Sequence, residues 1–152
     1  MKRLRPGWIV IALAALIGPS VVHAQKPAEP YRPMSNQEMS EQGLWEPWIK
    51  TFTDLTAKQK AEVMRRHIEM CLKAFPVTDE QRAVVKDLSA KYVSEAMYAE
   101  TDPEKRKALL GPMQADMMNA QRVLGPELAQ MFFANKPPLS VLEAVKNDPA
   151  FK

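Results

Sequence analysis

Apolar residues recur at spacings of three and four over most of the chain beyond residue 44, and no stretch alternates apolar with polar residues as a half-buried strand would. From Thr56 onward Met64, Ile68, Cys71, Leu72 and Phe75 share one helical face, while Lys58, Lys60, Glu62, Arg65, Arg66, Glu69 and Lys73 fill most of the remainder. That pattern predicts an amphipathic helix ending before Pro76. A second helix is expected from Thr78 to about Tyr98 on a stripe of Val84, Val85, Leu88, Tyr92 and Ala96, and the tight Phe75-Pro76-Val77 connection makes the two antiparallel. A third region opens near Thr101 and carries Leu110, Met113, Met117, Ala120 and Leu124. Gly111-Pro112 interrupts it, and the missing proline N–H predicts a kink or break there. Gly125-Pro126 punctuates the chain again before Leu128, Met131 and Phe132, and Lys136-Pro137-Pro138 ends the helical region. Ser140 to Lys146 reads as a short amphipathic piece capped by Ser140 and Glu143. The expected fold class is all-α: an antiparallel helical hairpin or small bundle with a kinked third helical region.

The helix starts are written into the sequence. Leu55-Thr56-Ala57-Lys58-Gln59 returns in altered form as Val77-Thr78-Asp79-Glu80-Gln81. In each copy the threonine suits the N-cap, accepting from the N3 backbone N–H, and Gln59 or Gln81 at N3 reaches back to the cap N–H. The hydrophobic staple that often accompanies such a box is missing, since Lys60 and Arg82 stand where its apolar partner belongs. Thr101 to Glu104 has the same spacing, with Pro103 suited to a first turn.

Composition divides the chain before the first box. Lys2, Arg3 and Arg5 precede an apolar run from Trp8 to Ile17, a Gly18-Pro19 break and Val22-His23-Ala24, the layout of a secretory signal peptide cleaved after Ala24. The run is short for a membrane of about 30 Å of hydrocarbon, so no stable membrane insertion is expected. Residues 25–43 hold three prolines among Gln, Glu, Ser and Asn and read as a disordered linker. Residues 44–152 then form one helical domain with its core in 55–134. At its start Trp45, Trp48 and Phe52 share one face of a short helix with Pro47 in the first turn, an aromatic hook that either docks on the bundle or stays exposed as a binding element.

Charge and chemistry narrow the function. The chain has 21 Lys and Arg against 18 Asp and Glu, and the three basic residues before position 24 account for the excess. Without a basic block, nucleic acid is not an expected partner. His67 is the only histidine after the signal region, and no nucleophile, strand-turn-helix elbow, phosphate loop or haem attachment pattern accompanies it, so the chain does not read as an enzyme and no cofactor is expected. His67 and Cys71 lie four apart on one face, which allows a thiolate–imidazole pair. With Met64 and Met70 they also make a soft ligand set suited to Cu(I) or, less well, Zn, although Met64 and Cys71 equally fill a core stripe. The lone cysteine is buried and inert, paired between chains, or a ligand.

An exported helical chain with a repeated Leu-Thr-x-x-Gln-like box over roughly Leu55 to Met131 resembles the Spy/CpxP family of periplasmic proteins. The resemblance implies a periplasmic, dimeric helical protein that acts as an ATP-independent chaperone or envelope-stress modulator, with unfolded or partner proteins as ligands. This chain differs in starting its second box with Val77, in spacing its boxes only 22 residues apart and in lacking a basic excess after residue 24. On this reading the contact surface is Met113, Met117 and Met131 with Trp45 and Trp48, because methionine offers an adaptable apolar face. The alternative is a periplasmic metal-binding or metal-sensing protein using His67, Met64 and Cys71, in line with metal-binding relatives of that superfamily.

Overall fold

The computed structural model describes residues 29–152. The signal-peptide stretch 1–24 and residues 25–28 of the expected linker lie outside the described residues. In chain order the helices are α1 (Asn36–Glu41), α2 (Trp45–Asp54), α3 (Ala57–Ala74), α4 (Asp79–Tyr92), α5 (Glu95–Ala99), α6 (Pro103–Leu110), α7 (Met113–Leu124) and α8 (Pro126–Ala129). A π-helical turn at Gln130–Ala134 continues α8, and α9 (Leu139–Asn147) and a 3-10 turn at Pro149–Phe151 close the chain. The fold is all-α, with no strand among the described residues beyond one isolated antiparallel bridge between Met34 and Lys136. None of the described helices is long and apolar enough to cross a membrane.

Both boxes form. The Thr56 hydroxyl accepts from the Gln59 N–H at 3.2 Å and Gln59 Oε1 accepts from the Thr56 N–H at 2.9 Å. The corresponding distances at Thr78 and Gln81 are 3.1 and 3.0 Å. Gln81 also donates through Nε2 to the Val123 carbonyl at 3.3 Å, fastening the start of α4 to the end of α7. Alanine at Thr56 or Thr78 is expected to cost about 1 kcal/mol each in chemical denaturation. Parent-like midpoints in both variants would show that the boxes do not support their helices.

Several local expectations are corrected. The second helix stops at Tyr92 rather than near Tyr98: Val93 leaves the helical region at φ −110° and ψ 83°, and the Ser94 hydroxyl recaps α5. The third start is capped by Asp102, whose carboxylate accepts from Glu104 and Lys105, not by Thr101. The α9 cap position is Pro138 with no side-chain bond, so Ser140 and Glu143 do not cap it. From residue 29 the linker expectation also gives way to order. Ser35 and Glu38 form a third full capping box, which opens α1, and Met39 is completely buried.

Helix α3 organises the packing. Its C-terminal half contributes Ile68, Cys71 and Leu72 to a cluster with Val85, Leu88, Ala120, Leu124, Ala129 and Phe132. Its N-terminal half contributes Val63 to a second cluster with Leu55, Met39, Trp48, Val141, Leu142 and Val145. Tyr31 packs against both, at the seam between them. The hairpin of α3 and α4 carries α7 on α4 in the opposite direction, Gln81 meeting Val123 at one end and Tyr92 meeting Asp116 at the other. Arg66 on α3 pairs with Glu62 and reaches Asp148 at 2.7 Å, holding the C-terminal turn against the helix.

The expected interruption is present, and its form follows from the residues. Gly111 (φ −53°, ψ −47°) and Pro112 (φ −69°, ψ −19°) keep helical dihedrals but form a two-residue turn between α6 and α7, where the proline N–H is missing. Gly125 is different, since its φ of 79° is a left-handed turn that admits glycine readily and redirects the chain into α8.

Candidate functional site

His67 sits at the junction of four segments and is fully buried. The reason lies in the chain end of the π turn. The Asn135 N–H bonds five residues back to the Gln130 carbonyl at 2.8 Å, the Lys136 N–H goes to Met34, and Pro137 has no N–H. The carbonyls of Met131 and Phe132 are thereby left without helical partners, and a buried orphan carbonyl is costly. His67 Nε2 donates to the Phe132 carbonyl at 3.1 Å, and the Cys71 thiol points to the Met131 carbonyl at 3.9 Å. A carbonyl only accepts, so the proton of the neutral ring is on Nε2. Nδ1 then accepts from the Tyr31 hydroxyl at 2.7 Å.

This arrangement uses His67 and Cys71 for structure. Burial holds the His67 pKa down, from the ordinary 6.5 to about 4, and the Lys136 cation adds to the effect against the bond to Phe132. Burial pushes the Cys71 thiol up to about 12, so a thiolate–imidazole pair does not form, and the sulfur lies 3.9 to 4.0 Å from the two ring nitrogens. For the metal alternative, both ring nitrogens are already engaged, Met64 is half-buried and Met70 is exposed. No group of three or more His, Cys, Asp or Glu converges among the described residues.

The contact residues expected from the sequence separate. Trp48 is buried: its ring stacks on Phe52 at 4.9 Å between centroids and its Nε1 donates to the Pro137 carbonyl at 2.9 Å. The hook is docked, and Trp48 leaves the contact surface. Trp45 is half-buried and donates to the Ser40 hydroxyl at 3.0 Å. Met131 is half-buried, its sulfur accepting from Asn135 at 3.4 Å. Met113 and Met117 are half-buried on α7.

A different apolar surface emerges around α6 and α7. Leu109, Met113, Met117, Ala120 and Leu124 continue one stripe at spacings of three and four, and α4 covers its C-terminal part. α4 ends opposite Asp116, where Tyr92 donates to that carboxylate at 2.7 Å, and the chain then turns off into α5, which packs on α3. Among the described residues none covers the rest, and every residue from 101 to 110 is exposed. Leu109 and Leu110 remain 43% and 37% exposed, and Met118 on α7 is 62% exposed. Met117 and Met118 also line a groove of about 530 Å³ with Pro126, Ala129 and Phe133. Leu109, Leu110 and Met118 were missed because propensity alone does not reveal that the neighbouring helix stops early; the signal was Ser94, a cap residue inside the expected second helix.

No family model, curated protein or solved structure matches this chain.

Proposed function

We propose that this is a non-enzymatic binding protein that shields apolar segments of unfolded or partner proteins, exported to the bacterial periplasm by the signal sequence expected at residues 1–24. The observation that carries the reading is the uncovered apolar stripe of α6 and α7, Leu109 and Leu110 running towards the groove of Met117, Met118 and Phe133. An exposed apolar surface next to a methionine-lined groove suits varied extended segments more than one shaped ligand. Lys105, Arg106 and Lys107 flank it with no ion pair among the described residues, which favours segments carrying Asp or Glu beside their apolar residues. The Spy/CpxP resemblance points to the same class of activity, and the proposal includes its homodimer, which sedimentation at micromolar concentration tests.

The direct assay is suppression of aggregation of a denatured client at near-stoichiometric ratio. Leu110→Asp and Met118→Asp are expected to weaken suppression about tenfold, the loss of one to two apolar contacts each, while leaving the melting temperature unchanged because both sites are exposed. A well-folded parent protein that suppresses nothing would overturn the proposal.

A further inference from the structure

We infer that residues 31–34 form an acid-released strap: protonation of the buried His67 ring detaches this segment and opens the seam between the two apolar clusters while α4 stays folded. The inference stands on the geometry around His67 and is independent of what the protein binds. Three contacts hold the strap: the Tyr31 hydroxyl donates to His67 Nδ1 at 2.7 Å, Met34 and Lys136 exchange two backbone bonds of 2.8 Å each, and Pro33 is buried. Arg32 pairs with Glu38 and fastens the strap only to α1. The imidazole has no spare acceptor. Adding a proton at Nδ1 forces the Tyr31 hydroxyl to reverse from donor to acceptor, while Nε2–H is already committed to the Phe132 carbonyl. Among the described residues the titratable groups facing the ring are Tyr31 from the strap, Cys71 from α3 itself and Lys136 from the turn after the π segment, with no carboxylate among them. An imidazolium there is buried, lacks a counterion and is repelled by Lys136, and moving Tyr31 away is the shortest route to water because Tyr31 is the half-exposed wall of the site. Tyr31 packs against both clusters, so its departure uncovers apolar surface from each.

Amide hydrogen exchange of the full chain, followed by NMR between pH 7 and 4.5, tests this. Once hydrated, the ring titrates near 6.5, so protection of the Met34 and Lys136 amides is expected to fall about a hundredfold over that range. These amides should approach the unprotected rate while Val85 and Leu88 on α4 stay protected. Tyr31→Phe keeps the ring but removes the bond, and should already lower strap protection at pH 7. His67→Gln, with no proton to gain, should flatten the pH dependence. The inference is overturned if Met34 and Lys136 keep their protection at pH 4.5. It is equally overturned if they exchange at one common rate with α4, or if His67→Gln leaves the pH dependence unchanged.

Discussion

Phe132→Ala is expected to lower the unfolding free energy by about 4 kcal/mol, among the largest losses any single truncation in this chain should produce. The ring is fully buried and meets Phe75 edge-on at 6.4 Å and Phe133 at 6.1 Å. It belongs to the cluster in which α3, α4, α7 and α8 converge, so the cavity left behind is bordered by four helices that cannot all close on it. The backbone compounds the loss, because the Phe132 carbonyl is the acceptor that places His67. Phe133→Ala is the internal control: that ring is half-buried and lines the outer groove, so its truncation should cost clearly less. Equal midpoints for the two variants in urea would show that the π turn is not a keystone of the core.

What the sequence disclosed was local, and what it concealed was long-range. Thr56 with Gln59 and Thr78 with Gln81 could be read because a capping box is complete within four residues, and the interruption at Gly111-Pro112 because proline breaks the ladder wherever it falls. The same box is present at Ser35 and Glu38, where the three prolines before it give the stretch the composition of a linker. Nothing local marks Tyr31 as a partner of His67, which lies 36 residues away, or the Phe132 carbonyl as its other partner, 65 residues away. Those contacts depend on a π turn and on Pro137, which has no N–H to offer the Phe132 carbonyl. The metal and thiolate readings of His67 and Cys71 rested on side-chain chemistry alone. Once both groups are seen to answer orphan carbonyls, their position on the core face of α3 has a structural explanation.

The histidine also sets how stability should vary with pH. Its folded pKa of about 4 lies below the 6.5 of an exposed imidazole, so the folded state resists a proton that the unfolded chain takes up readily. Above about pH 6.5 neither state is protonated and the contribution is fully present. As pH falls from there to about 4 the unfolded state alone gains the proton, and stability should decline by about 3 kcal/mol in total before levelling once the folded ring protonates too. The three carboxylates that the fold holds low act mainly below this window. Glu38 is held below its ordinary 4.5 chiefly by the Ser35 backbone N–H, Asp116 below 3.8 chiefly by the Tyr92 hydroxyl and Asp148 below 3.8 chiefly by Arg66. Stability from such groups is present above their ordinary pKa and begins to be lost as pH falls through 4.5 and 3.8, so it meets only the lower end of the range in which the histidine acts. Urea midpoints taken at half-unit steps from pH 7.5 to 4.5 should therefore slope downward in the parent protein and run nearly flat in His67→Gln. A parent that is as stable at pH 4.5 as at 7.5 would mean that the ring is hydrated in the folded state, and that Tyr31 does not close its site.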